Sequence, residues 1–297
     1  MKEIKLLQKI VRTSTNIPVV DRFAWKVVPS IRTFFGRRYN GEQILTEYDD
    51  GIKMWVSLSN YIESNIFWQG VEEEDRGQVK LLKELLNPDQ VFFDIGANIG
   101  VITLIAANLL TDGCVHAFEP SEHHLEKLHR NIEVNDFQNV RVNPFGLSDE
   151  NAVHELYLPN EKEDRIRNTG RATVNEIQDE NEEFQKEEIE TRRLDSYVQD
   201  NNIKRIDFIK IDVEGEELSV LKGGTDTIRE YQPKITMELN RNHLDRAGAS
   251  PQEVLDYWDE QEYSVYRIGY DGEVVPIHGA DQFDEHQNLY CCPQPEL

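Results

Sequence analysis

Hydrophobic and polar residues change rhythm several times along this chain, and each change marks an element. Ile4, Leu7, Ile10 and Val11 fall at helical spacing with Lys2, Lys5, Lys9 and Arg12 on the opposite side, which predicts an amphipathic N-terminal helix. Ile44-Leu45 and Met54-Trp55-Val56 flank Asp49-Asp50-Gly51, a hairpin signal. Gln78 to Leu86 reads as a helix ended by Asn87-Pro88. From residue 91 onward short apolar runs alternate with helical patterns, and that alternation predicts a parallel sheet, with strands near 91–95, 114–118, 140–145, 206–212 and 234–239. Between them, Val101 to Leu110 is apolar and helical, and Ser121 opens a helix with Leu125, Leu128 and Ile132 on one face. Ser250-Pro251-Gln252-Glu253 is a capping box with proline at the first helical position. The tail, Tyr263 to Ile268, Asp271-Gly272 and Leu289 to Cys292, suits two antiparallel strands that bring the sheet to seven. This organisation predicts a basic helix-and-hairpin extension over residues 1–75 and an α/β domain over 76–297.

A polar stretch near 159–191 interrupts the alternation. From Asn160 to Glu190 it holds eleven acids and five bases, too little apolar surface to form a core. An insertion of this length leaving the ligand-binding edge of a sheet is expected to be a lid over that edge. Arg165, Arg167 and Arg171 in it would meet an acidic sugar or phosphate, or simply balance neighbouring acids.

Charge sharpens the division. The net charge of −24 over 297 residues excludes a general affinity for nucleic acid through the bulk surface. Residues 1–40 carry nine bases against two acids, so this segment is about +7 while the remainder is near −31. Two readings of residues 1–38 stay open: a helix docked on its own domain, or a reversible foot on an anionic membrane. Self-repulsion of this size is best tolerated where salt screens it, which points to a halophilic archaeal source over an ordinary acidic bacterial protein. Cys114 and the neighbours Cys291 and Cys292 form no disulfide framework, and no apolar run approaches membrane-spanning length; the expected location is the cytoplasm, or the inner face of its membrane.

The chemistry concentrates in Val91-Phe-Phe-Asp94-Ile-Gly96-Ala97-Asn98-Ile-Gly100, followed by Ala117-Phe-Glu119-Pro120. A carboxylate in a buried strand is costly unless something specific pairs with it, so Asp94 points to a ligand that carries positive charge. Gly96 and Gly100 permit close approach to the backbone. Glu119, at the end of the second strand, is placed to take both ribose hydroxyls of a nucleoside. A dinucleotide site requires G-x-G-x-x-G so that pyrophosphate clears the turn. This turn lacks G-x-G and has an acid before it, a combination suited to S-adenosylmethionine, with its zwitterionic amino acid end and cationic sulfonium. An NAD-dependent oxidoreductase and a non-catalytic nucleoside-binding module are the alternatives.

These segments resemble the FkbM family of S-adenosylmethionine-dependent methyltransferases. The resemblance runs through Asp94-Ile-Gly-Ala-Asn-Ile-Gly100, Ala117-Phe-Glu-Pro120, Asn131-Ile-Glu-Val-Asn135, Gly146-Leu-Ser-Asp149, Phe208-Ile-Lys-Ile-Asp-Val-Glu-Gly215, Leu221-Lys-Gly-Gly224 and Pro233-Lys-Ile-Thr-Met-Glu-Leu-Asn240. It implies a Rossmann-like class I methyltransferase fold with a mostly parallel seven-stranded sheet and helices on both faces. It implies that the donor lies on Asp94, Gly96, Ala97, Asn98, Gly100 and the Glu119-Pro120 pair, with Leu147 or Ser148 beside adenine. It further implies transfer to a hydroxyl of a glycan, lipid-linked sugar or related small molecule. Removal of the hydroxyl proton needs a base. Asp212 and Glu214, expected to share one face of the fourth strand, are candidates, as are Glu238 and His243 after the fifth. No metal-ligand spacing is present; His123 and His124 are neighbours on a helix and do not face one site.

Overall fold

The computed structural model describes residues 2–15, 33–70, 75–159, 174 and 184–294. They fall into two compact units. The described part of the first comprises 2–15, 33–70 and the strand ends 158–159 and 184–185; the second comprises 75–157, 174 and 186–294.

In the first unit, α1 (Lys2–Thr15) is followed by the antiparallel hairpin β1 (Gln43–Asp49) and β2 (Ile52–Ser57), then α2 (Tyr61–Gln69). Asp50 and Gly51 both take positive φ, 37° and 84°, as a tight two-residue turn between twisted strands requires. Alternation buries Ile44, Thr46 and Tyr48 from one strand and Ile52, Met54 and Val56 from the other. Asn60 caps α2 by accepting from the Glu63 amide at 3.1 Å, and Glu63 in turn accepts the Ser57 amide. α1 lies against this frame: Ile4 and Val11 are buried, and the Gln8 amide donates to Thr46 Oγ1 and the Phe67 carbonyl, each at 2.7 Å. Arg12 departs from the expected solvent face. Its guanidinium donates to the carbonyls of Ile66 at 2.8 Å, Phe67 at 2.9 Å and Glu47. Burial pushes Arg12 down to about 10, against the pull of Glu47, so it stays charged at neutral pH. The stripe of α1 is thus used inside its own unit, against the hairpin and α2. Phe23 and Trp25 lie outside the described residues.

The second unit runs α3 (Arg76–Leu85), β3 (Val91–Ile95), α4 (Val101–Leu109), β4 (Cys114–Phe118), α5 (Glu122–Glu133), β5 (Val140–Asn143), β6 (Gly146–Leu147), β7 (Ala152–Pro159), β8 (Phe184–Arg192) and α6 (Leu194–Asp200). It continues with β9 (Phe208–Ile211), α7 (Glu217–Gly223), α8 (Thr225–Tyr231), β10 (Lys234–Asn240), α9 (Arg241–Arg246), α10 (Pro251–Glu260), β11 (Tyr263–Ile268), β12 (Val274–Pro276) and β13 (His286–Pro293). The large sheet has the order β12-β11-β13-β10-β9-β3-β4-β5. β3, β4, β5, β9 and β10 are parallel, and β13 is antiparallel to both β10 and β11. This is the α/β arrangement expected of a class I methyltransferase. β12, paired to β11 across the Asp271-Gly272 turn, adds an eighth strand to the seven expected.

β3 has β4 on one side and β9 on the other, so chain order reverses there, and in open α/β sheets the ligand crevice lies at the carboxyl ends of the strands at such a point. Phe93, Ile95, Phe118, Ile209, Ile211, Met237 and Leu289 form the packed layer beneath.

Two expectations need correction. The polar stretch near 159–191 is not loop throughout: Phe184–Arg192 is a strand, in a three-stranded sheet of order β6-β8-β7. Its composition conceals this because only alternate residues turn inward, among them Ile189 and Thr191. The remainder of the proposed lid, 160–173 and 175–183, with Arg165, Arg167 and Arg171, lies outside the described residues. The fourth strand ends at Ile211, not near 212, so strand alternation does not set the side of Asp212 and Glu214.

Candidate active site

The turn after β3 is shaped by three left-handed residues, Gly96, Asn98 and Gly100, with φ of 78°, 51° and 99°. Glycine at 96 is needed twice over: besides its φ, a Cβ there would lie 1.8 Å from the Asp212 carbonyl oxygen. The turn therefore lies directly against the end of β9. The Gly96 and Ala97 amides both donate to the Phe118 carbonyl, at 3.0 and 2.9 Å, which ties the turn to β4.

Glu119 completes this side. It is buried, and its carboxylate accepts the Asn98 amide at 2.8 Å and the Ser121 amide at 2.9 Å, with His124 Nδ1 3.4 Å away. Glu187 of β8 clamps the same corner from outside by accepting Ser121 Oγ at 3.0 Å and the Glu122 amide at 2.6 Å. Pro120 is half-buried there. Leu147 and Ser148 are buried nearby on β6 and the residue after it; a Cβ on Gly223 would lie 2.0 Å from the Ser148 carbonyl, so α7 packs tightly beneath that loop.

Asp94 finds its positive partner within the chain. Lys210 Nζ of β9 lies 3.3 Å from Asp94 Oδ1 and 3.5 Å from Asp212 Oδ2, and donates to the Gly96 carbonyl at 2.7 Å. Thr103 Oγ1 donates to Asp94 Oδ2 at 2.5 Å. Burial opposes the charge of Lys210, but Asp94 and Asp212 outweigh it and hold the ammonium above its ordinary range. Asp94 itself is fully shielded, at 0 % exposure. The expected contact between Asp94 and a ligand is therefore replaced by a role beneath the turn, bracing β3 against β9. Asp212 faces the crevice instead, with 35 % of its side chain accessible.

Beyond β9 the chain turns sharply through Glu214 and Gly215, both at positive φ, 55° and 115°. This turn, not strand pleating, brings Glu214 Oε2 to 2.9 Å from His243 Nδ1. Glu217, at the start of α7, is buried and accepts the Val213 and Gly215 amides at 3.2 and 3.1 Å. Burial nevertheless pushes Glu217 up to about 7. From β10, Glu238 Oε1 lies 2.5 Å from His286 Nε2. Burial, with the charges of Asp212 and Glu214, raises Glu238 well above the usual carboxylate range. The four expected acceptor-side residues, Asp212, Glu214, Glu238 and His243, thus lie along one edge. Among the described residues no three His, Cys, Asp or Glu side chains are placed to hold a metal ion.

Lys210, Glu187 and His286 went unassigned in the sequence, whereas Glu217 reads there as an acid entering the helix after the fourth strand, where the structure has it. Lys210 carried a signal, a lone cation in the apolar Phe208-Ile-Lys-Ile211 run matching the lone acid of Phe92-Phe-Asp94-Ile95. His286, in the polar run Asp284-Glu-His-Gln287, carried none.

The methyltransferase FkbM domain model matches residues 94–265, more than half of the chain. The chain belongs to the FkbM methyltransferase family. It is 30 % identical over 225 residues to the AMB antimetabolite synthetase AmbE of Pseudomonas aeruginosa, a match covering 66 % of this chain and 10 % of that much longer protein. It is 26 % identical over 190 residues to the hexuronic acid methyltransferase AglP of Haloferax volcanii, covering 63 % of this chain and 69 % of AglP. Among solved structures it is similar to a methyltransferase FkbM from Methylobacillus flagellatus, with a TM-score of 0.42, 18 % identity and coverage of 92 % of this chain and 61 % of the other.

The FkbM cofactor is S-adenosylmethionine, and the donor side of the crevice fits it. Gly96 and Asn98 remain partly exposed between the ends of β3 and β4. Glu119 borders Asn98 there through its Oε2, and Asp212 keeps an accessible carboxylate.

Proposed function

We propose that this protein transfers a methyl group from S-adenosylmethionine to a hydroxyl oxygen of a sugar or related small molecule. The observation that carries the reading is the pairing of two carboxyls with two imidazoles, Glu214 with His243 and Glu238 with His286, beside Asp212 at the edge of the glycine turn. A module that only bound a nucleoside would have no use for it. The cofactor supplies an electrophilic methyl; the chain's residues hold the donor, align the acceptor and take its proton. Gly96, Ala97, Asn98, Gly100, Glu119, Pro120, Leu147 and Ser148 surround the donor, with Asp94 bracing the turn. Asp212, Glu214, Glu238 and His243 face the acceptor. The similarity to a hexuronic acid methyltransferase favours a glycan or sugar acceptor, and the net charge of −24 disfavours a nucleic acid. Among the described residues no helix is long and apolar enough to cross a membrane. The first unit, residues 1–75 in outline, locates or supports the enzyme in this reading and takes no part in the chemistry.

Calorimetry tests the donor half: S-adenosylmethionine and S-adenosylhomocysteine should bind and NAD should not, because the turn lacks room for a pyrophosphate. NAD binding, or binding of none of the three, would overturn it. Mass spectrometry of glycans and lipid-linked sugars with and without the gene tests the acceptor half, through loss of one methylene equivalent.

A further inference from the structure

His286 reaches the site by tertiary placement alone. It opens β13, paired across the sheet with Asn240 at the end of β10, and its Nε2 meets Glu238 Oε1 from the reversed strand. The surroundings make this contact unusual. Three further acids act on Glu238: Asp212 from the end of β9, Glu214 from the following turn, and Asp75 from the start of α3. Nearby cations are committed elsewhere: Lys210 to Asp94 and Asp212, Arg241 to the Ala280 and Phe283 carbonyls, Arg267 of β11 to Asp284. His243 is engaged by Glu214, and Glu285, next to His286, accepts from Asn242. A carboxyl so surrounded by acids holds a proton readily; Asp212 hydrogen-bonds to it from the β9 side, and among the described residues the imidazole at 2.5 Å is the basic group placed to share its proton.

We propose that His286 is a positioning residue for proton removal, sharing one proton with Glu238 and passing the acceptor's proton to solvent; this rests on the methyl-transfer reading above. When the shared proton moves to His286 Nε2, Glu238 is left as a carboxylate beside an imidazolium. The acceptor oxygen then gives an electron pair to the methyl carbon, the carbon–sulfur pair stays with sulfur, and the hydroxyl proton ends on Glu238. The pair now holds two protons. His286, with 29 % of its side chain accessible, releases one to water and the pair returns to its starting state. Turnover is therefore gated by a coupled carboxyl–imidazole pair, with the second pair, Glu214 and His243, outside that circuit.

The test is a pH titration of the full chain by NMR, with labelled histidine and glutamate, His286 and Glu238 being assigned through His286→Gln and Glu238→Gln. In the unsubstituted protein the His286 ring and the Glu238 carboxyl should move together in two shared steps. Glu238→Gln should replace the two shared steps by a single one at the His286 ring, and His243→Gln should leave the His286 curve where it was. Independent single-step curves for His286 and Glu238 in the unsubstituted protein would overturn the proposal, and that measurement stands even if a variant fails to fold. A His286 curve unchanged in shape in folded Glu238→Gln would overturn it equally. S-adenosylhomocysteine calorimetry on the same samples keeps the two ideas apart: absent binding sinks the methyltransferase reading, whereas intact binding with uncoupled titration sinks only the role of His286.

Discussion

The two edges of the crevice use the same residue type in opposite ways. At the β3–β4 edge, Glu119 spends its carboxylate on the Asn98 and Ser121 amides, and Glu187 does the same for Glu122, so acids there fix the shape of the backbone. At the β9–β10 edge, Glu214 and Glu238 meet imidazoles, and burial with the charges of Asp212 and Glu214 raises Glu238, so acids there face other titratable groups. A carboxylate bonded to N–H groups is held as the anion; one set among other acids takes up a proton more readily. Lys210 joins the edges, because its ammonium reaches both the buried Asp94 of β3 and the accessible Asp212 after β9.

Removing that joint should have the largest effect. Lys210→Met leaves Asp94 buried without its cation, and breaking a buried pair from one side costs about 3–5 kcal/mol. Urea unfolding should show a loss in this range; a loss below about 1 kcal/mol would show that the edges are held together by packing alone.

Glu217 sharpens the comparison, since it bonds backbone amides as Glu119 does yet is raised by burial from 4.5 to about 7. A carboxyl with a raised folded-state value contributes stability that is fully present below about 4.5 and is lost as pH rises through about 7. The loss is on the order of 3 kcal/mol for a shift of this size. Glu217→Gln keeps an oxygen for the Val213 and Gly215 amides and removes the charge. Between pH 5 and pH 8 the unsubstituted protein should therefore lose urea stability relative to the variant. Parallel curves would show that Glu217 behaves as an ordinary cap.

The smallest expected contrast lies between two glycines. Gly51→Ala, at φ 84° with nothing within 4 Å of the new methyl, should cost only the left-handed penalty of about 1–2 kcal/mol. Gly96→Ala adds overlap with the Asp212 carbonyl and should cost about 1–3 kcal/mol more, with weaker binding of S-adenosylhomocysteine. Equal melting shifts would mean that the turn relaxes away from β9.

What the sequence determined by itself was local. Glycines that need positive φ, apolar runs of strand length, the Ser250 capping box and the order of strands and helices depend on neighbours a few residues apart, and they led directly to the glycine turn, Glu119 and the α/β sheet. Asp94 was legible as a costly buried acid that needs positive charge, but that charge was expected from a ligand. Which cation was a tertiary matter, because Lys210 lies 116 positions further on and meets it only when β9 pairs with β3. The side of Glu214 was decided by a left-handed turn that strand periodicity does not describe. His286 depended most on the fold: the reversal of β13 between β10 and β11 delivers a histidine from a polar segment to Glu238, 48 residues away in the chain. Periodicity reports which face of an element is buried, whereas the pairing of charges across strands is set by sheet order and register, and these exist only once the chain has folded.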